Sequence, residues 1–199
     1  MKVKRIKLDP NTIIAISVMI ISLGALFVSY KQAAIMNKQT DLLLDQNRSA
    51  SWPYLDVGDA LMISDQTNQY RIYVSNKGNG PAIIEGVRIM YKNRVIRDWG
   101  GFLDEIKLEN KRGSSSSYSN ISNTVISSGE EINIFTVSQL KSVSEFTDLV
   151  KNLTIEIYYK SVFDEYWYAK NIGFRNAPGA KTVKRIDKVE LNEEETFLQ

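Results

Sequence analysis

The chain has 199 residues, of which 43% are hydrophobic and 24% charged, and its formal net charge is +2. It contains no histidine and no cysteine, which excludes disulfides, thiolate chemistry, Cys or His zinc sites and any hydrolase that depends on a Ser-His pair. Four basic residues and Asp9 near the N-terminus contribute +3, which leaves −1 for the rest, so we expect no nucleic-acid partner.

An uncharged, mostly apolar run occupies residues 13–30 and follows a basic N-terminal tail at residues 1–12. As a helix it would be about 27 Å long, close to the roughly 30 Å thickness of the hydrocarbon layer. A cleaved signal peptide is the alternative, but its apolar part usually has about 7–15 residues and ends in a small-x-small site. This run ends in Tyr30-Lys31-Gln32 instead. We therefore expect a single transmembrane helix over residues 13–30.

Lysine and arginine are denser before this run than after it, where Lys31, Lys38 and Arg48 are spread along the chain. By the positive-inside rule, this favours a cell-membrane protein with a cytoplasmic N-terminus and its C-terminal domain outside. The opposite orientation stays open, because short N-terminal tails can also be translocated.

Residues 31–50 contain no proline or glycine and are rich in good helix formers. We therefore predict that the membrane helix continues into a helical stalk, as one helix of roughly 55 Å over residues 12–48. A heptad repeat runs along it, with small residues in the apolar part and glutamine beyond. It predicts a helix–helix seam for a homo-oligomer, although a single helix can also show this period. The a and d positions are Ala15, Val18, Ser22, Ala25, Ser29, Gln32, Met36, Gln39, Leu43 and Gln46.

Pro53 disfavours helical geometry in Trp52, so we expect the helix to end there. Apolar and polar residues then alternate, which is typical of half-buried strands. The fold class is therefore mainly β, with an antiparallel immunoglobulin-like β-sandwich over residues 51–176. The predicted strands are 54–63, 70–75, 87–92, 94–98, 121–126, 131–136, 153–160 and 165–172.

Three further segments complete the prediction. Apolar residues spaced by three and four indicate one short amphipathic helix within residues 137–150. Residues 113–120 (GSSSSYSN) show no period and predict a mobile loop. Residues 177–199 change from basic to acidic with few apolar positions, and we interpret them as a partly disordered charged tail, with a short surface helix as the alternative.

The order of these features resembles that of a loose group of uncharacterised bacterial single-pass membrane proteins. The motifs that carry the resemblance are RSASWPYLDV, YRIYVSNKGNGPAIIEGVRIMY and the late SSGEEINIF with LTIEIYYKSVFDEYWYAK. The resemblance covers roughly residues 13–175. It implies a membrane location and an immunoglobulin or fibronectin type III sandwich, and it brings no catalytic residue with it.

No motif predicts catalysis, a metal or a cofactor. The acidic pairs Asp104-Glu105 and Asp164-Glu165 lack a third regularly spaced oxygen ligand, so we expect them to be solvated. The Gly78-x-Gly80 segment precedes a predicted strand, whereas phosphate-binding loops precede a helix. We therefore expect that the protein is not an enzyme.

Aromatic residues cluster in the late hairpin, where Tyr158, Tyr166, Trp167 and Tyr168 form a candidate partner-binding surface. The alternative is that these rings only stabilise the sheet and fill the core. Together the features predict a membrane-anchored binding or scaffolding protein with a protein partner. The second hypothesis is a membrane effector of a bacterial defence system, which senses a signal and perturbs the bilayer through helix oligomerisation.

Overall fold

The structure is a computed structural model, and it describes residues 9–64, 68–107, 115–140, 143–174 and 181–198. It divides into two compact units, Met1–Asn47 and Arg48–Gln199. A long N-terminal helix is followed by antiparallel sheets with about ten strands and by short helices.

The predicted continuous helix is confirmed as α1, Pro10–Ala50, with 41 residues. Pro10 suits the first turn, where a backbone donor is not needed, and the carbonyl of Asp9 accepts from Thr12 and Ile13. None of its side chains is buried. By length and composition, α1 is the one helix in the described part of the chain that could cross a membrane.

The first sheet has the strand order β1-β2-β7-β5, and all its pairs are antiparallel. Its strands are β1 (Leu55–Ile63), β2 (Asn68–Asn76), β5 (Ser115–Tyr118) and β7 (Glu131–Ser138). The loop predicted at 113–120 is therefore wrong for residues 115–118. All four side chains of β5 are exposed, so backbone pairing with β7 forms this strand without an apolar period.

The second sheet has the order β10-β9-β8-β3-β4, with β6 also paired to β3. Its strands are β3 (Ala82–Tyr91), β4 (Arg94–Ile96), β6 (Val125–Ile126), β8 (Leu153–Lys160), β9 (Tyr166–Ile172) and β10 (Lys181–Ile186). Lys92 and Asn93 join β3 to β4 with positive φ at both positions, as a two-residue hairpin turn requires.

The C-terminal segment, interpreted from the sequence as a partly disordered charged tail, is part of the folded unit at residues 181–198, where a strand and a short helix form. Strand β10 pairs with β9, and a short 3-10 helix follows at Glu193–Glu195. The backbone N–H of Phe197 donates to Val87 (2.7 Å), and its side chain is 4% exposed. The apolar residues here are widely spaced, and each contacts a different part of the fold, which leaves no period in the sequence.

The described residues contain two short α-helices, where one was predicted. Helix α2, Trp99–Glu105, begins after Asp98, whose carboxylate accepts from the Gly101 N–H (2.7 Å). Helix α3, Val143–Val150, is shorter than predicted, because Val137 belongs to β7. Both sheets and both helices contribute side chains to one hydrophobic core.

The side chain of Asn76 links the segment after α1 to the turn after β2 by hydrogen bonds. Its buried side chain accepts from the N–H groups of Tyr54 and Gly78 and donates to the carbonyls of Gly80 and Ile126. A Cβ on Gly80 would lie 2.0 Å from the Ser51 carbonyl oxygen. The N-x-G-x-G motif and the SWPY segment therefore pack directly against each other.

Candidate binding site

The hairpin of β8 and β9 divides the predicted aromatic surface between two faces. Tyr158 is paired with Tyr168, and Tyr159 is paired with Trp167. Since side chains alternate along a strand, Tyr158, Tyr166 and Tyr168 share the outer face of the second sheet. Trp167 lies on the opposite face, packs against the core and contacts Trp52, with ring centroids 5.7 Å apart. The structure thus brings together three of the four residues.

A buried carboxylate organises this outer face. Glu156 lies in the middle of β8 and is 1% exposed. One of its oxygens accepts from the Tyr168 hydroxyl (2.7 Å) and pairs with the Lys170 ammonium (2.8 Å). The other accepts from the Nε of Arg88 (2.6 Å). A charge buried in a sheet is costly unless it is paired in this way.

The ionisation of Glu156 follows from these contacts. Burial is the largest single influence and acts to raise the pKa of Glu156, but hydrogen bonds from Lys170, Tyr168 and Arg88 lower it below its ordinary value. Burial, and then the hydrogen bond to Glu156, raises the pKa of Tyr168. Glu156 is therefore an anion and Tyr168 a neutral hydrogen-bond donor at neutral pH.

The guanidinium of Arg88 is held in one orientation by three groups. Besides Glu156, it pairs with Glu195 of the C-terminal segment (3.0 Å) and donates to the Tyr158 hydroxyl (3.3 Å). Rigid, paired charges of this kind fix the positions of neighbouring side chains. Tyr158 is 6% exposed, and its ring centroid lies 5.1 Å from that of Tyr168.

Arg88, Tyr158 and Tyr168 line a groove of about 690 Å³, together with residues of β10 and of the segment that follows it. This volume lies within the range of small-molecule sites in proteins. Lys184 lies at this groove with its ammonium 5.4 Å from the centre of the Tyr168 ring. The lining residues are Arg88, Tyr158, Tyr168, Lys184, Arg185, Ile186, Asp187, Lys188 and Glu190.

Most of the groove was not found from the sequence. Lys184 through Glu190 lie in the segment interpreted as a tail, and Arg88 and Glu156 are residues that alternation alone places on a solvated face. The sequence does contain one signal of this arrangement. Glu156 is the only acidic residue of β8 (LTIEIYYK), and the only other charged residue of that strand is Lys160 at its end. A lone acid in such a strand indicates a buried partner of opposite charge, and the register places Arg88 directly beside Glu156.

Other candidate residues lie elsewhere. All ten seam positions are on α1 and exposed, and the Ser22 hydroxyl donates to the Val18 carbonyl within the helix (2.8 Å). Asp164 pairs with Lys160 (3.2 Å) and Glu165 with Arg185 (3.1 Å). Over the described ranges, no three acidic side chains come together as a metal site would require.

The groove has hydrogen-bond donors, aromatic rings and a volume suited to a ligand, and these are properties of a binding site. No protein-family model matches this chain, and a comparison with curated proteins gives no match.

Proposed function

We propose that this protein is a non-enzymatic binding protein anchored in the cell membrane by α1. The proposal rests on the exposure of the apolar side chains along residues 13–30. Ile21, Leu26 and Phe27 are 70%, 68% and 62% exposed. A helix that is apolar on all sides is unfavourable in water and favourable in lipid. Continuation of the same helix to Ala50 provides the stalk.

The proposed orientation places the N-terminus in the cytoplasm and the β unit outside. Its support is the concentration of lysine and arginine before the apolar run. We also propose that the two sheets form an immunoglobulin-like sandwich, as in the bacterial group that the sequence resembles. The support is that antiparallel strands of both sheets contribute to one core.

Self-association through the heptad seam is a further part of the proposal. A straight helix drifts by about 20° per heptad relative to a seven-residue repeat, so the seam would face a second copy only in a left-handed supercoil. Small residues such as Ala15, Ala25 and Ser29 would allow close approach within the lipid. Chemical crosslinking of the full chain in membranes would detect this dimer or oligomer.

The partner-binding surface is proposed to be the outer face of the second sheet, around Tyr166 and Tyr168. A photoreactive amino acid such as benzoylphenylalanine at Tyr166, in the full chain and in intact membranes, tests this. The matched control places it at Tyr118, a tyrosine that is 45% exposed on the other sheet. We expect a reproducible protein adduct from position 166 and none from position 118. Equal adducts from both positions, or none from 166, would refute this surface.

A further inference from the structure

The groove contains two hydrogen-bond donors that no described residue uses. The Tyr158 hydroxyl accepts from Arg88 and donates to no side chain or carbonyl of the described chain. The ammonium of Lys184 contacts the Tyr168 ring but no carboxylate among the described residues. Tyr158 is more than nine-tenths buried, and a buried donor without an acceptor costs about 1–3 kcal/mol. An acceptor in the groove would satisfy the Tyr158 hydroxyl and would also pair with the Lys184 ammonium, which is exposed to water in its absence.

The other charged side chains at the groove restrict the kind of anion that can bind there. Arg88 is already paired with Glu156 and Glu195, so it adds positive charge without being free to move. Lys188 pairs with Glu190 at the edge of the groove (3.4 Å). The acidic groups of Asp187 and Glu190 would repel a polyanion such as a nucleic acid, whereas a compact ligand with one anionic group can reach Lys184 and Tyr158.

The aromatic lining indicates the rest of the ligand. The rings of Tyr158 and Tyr168 are tilted at 56° to each other, with centroids 5.1 Å apart. Tyr158 is buried whereas Tyr168 is only partly buried, so the ring of Tyr168 is the one that can pack against a further planar ring. We propose that the groove binds a small organic anion in which one carboxylate or phosphate group is attached to a planar ring.

In this complex the anionic group accepts from the Tyr158 hydroxyl and the Lys184 ammonium, and the ring of the ligand packs against the partly buried ring of Tyr168. The inference rests on the proposed binding function, because it uses the same face of the sheet. The two are separable, since crosslinking at Tyr166 reports a protein partner and a titration reports a small ligand.

The test is isothermal titration calorimetry of the full chain in detergent micelles with two matched pairs of probes. Adenosine 5′-monophosphate is compared with adenosine, and indole-3-acetate with indole-3-acetamide. We expect at least one anion to bind about ten-fold more tightly than its neutral counterpart, and the pair concerned distinguishes phosphate from carboxylate. Equal affinity within both pairs, or binding of none of the four, would overturn the inference.

Variants locate the binding to the groove. Tyr158→Phe removes one donor and keeps the ring, and Lys184→Met removes the charge and keeps a similar length. Each is expected to weaken anion binding about ten-fold, which corresponds to the loss of one hydrogen bond or ion pair. Lys151→Met is the control, because Lys151 is exposed in the turn after α3 and lies outside the groove. If Tyr158→Phe and Lys184→Met bind the anion as tightly as the control Lys151→Met, the proposed site is contradicted.

Discussion

Glu156 shows how one residue couples the strands of the second sheet. Its carboxylate lies on β8 and binds Arg88 of β3 and Tyr168 and Lys170 of β9. The sequence predicts an aromatic cluster in this hairpin but gives no information on this carboxylate. Whether an outward strand residue is buried depends on what covers the sheet, and here the cover comes from the distant C-terminal segment through Glu195.

Replacing Glu156 by Gln should lower the free energy of unfolding by about 3 kcal/mol or more, because it leaves two cations beside an uncharged group in a buried place. Urea unfolding of the detergent-solubilised chain at neutral pH measures this. The control Glu131→Gln removes an exposed ion pair with Arg71 and should cost less than about 1 kcal/mol. Equal losses in the two variants would contradict the role assigned to Glu156.

Acid should destabilise the folded unit through the same carboxylate. The pKa of Glu156 lies below its ordinary value of 4.5 in the folded state, so the unfolded chain takes up the proton first as the pH falls. The stability that the Glu156 carboxylate contributes is therefore fully present above about pH 4.5 and is lost below it, toward the lowered pKa. The measurement is the unfolding midpoint between pH 7 and pH 3. In Glu156→Gln the decline should be smaller, and an unchanged acid profile would argue against this linkage.

Gly80 tests the contact between the turn after β2 and the segment that leaves α1. Alanine at this position would place its Cβ 2.0 Å from the Ser51 carbonyl oxygen, and backbone atoms cannot move aside cheaply. We expect a loss of about 1–3 kcal/mol in thermal or urea unfolding. Gly101→Ala is the matched control, since the nearest atom to its Cβ would be at an ordinary 3.6 Å and the site is helical. A control as damaging as Gly80→Ala would refute the steric explanation.

Helices and strands with a regular pattern of apolar residues could be predicted from the sequence, whereas elements without such a pattern could not. Helix α1 follows from a long stretch without interior proline, and β8 and β9 follow from aromatic and β-branched residues. Strand β5 (SSSY) and strand β10 (KTVKRI) have few or no buried side chains. They lie at the edges of their sheets, where pairing to one neighbour suffices and the sequence needs no apolar alternation.

The C-terminal segment should contribute directly to stability. Phe197 is buried against Trp99, with ring centroids 5.2 Å apart, while its neighbour Leu198 is 60% exposed. We expect Phe197→Ala to cost about 3–5 kcal/mol, as for other buried phenylalanines. Leu198→Ala should change stability by less than about 0.5 kcal/mol. Thermal unfolding of the two variants decides between a packed segment and a tail, since a tail would make both changes silent.

The molecule combines an apolar helix with a folded β unit that has a polar groove. Composition and periodicity were enough to predict the helix, its length and the mainly β character of the rest. They could not predict the groove, because its walls come from segments that are far apart in sequence, as Arg88, Tyr158 and Lys184 are. Long-range register places these residues together, and register is weakly encoded in local pattern.

We propose that residues 13–30 cross the membrane and leave the β unit outside. Because the chain has no cysteine, single substitutions to cysteine give one thiol each, and a membrane-impermeant maleimide reacts only with thiols exposed to water on its own side. Val162 is 53% exposed in the folded unit and reports on its location. Val3 reports on the N-terminus and Ser22 on the middle of the apolar run.

The measurement is maleimide labelling of these three variants in bacterial spheroplasts, before and after lysis. We expect Val162→Cys to be labelled in intact spheroplasts, Val3→Cys only after lysis, and Ser22→Cys only after denaturation in detergent. Labelling of Ser22→Cys in undisturbed membranes, or of Val3→Cys and Val162→Cys from the same side, would contradict it.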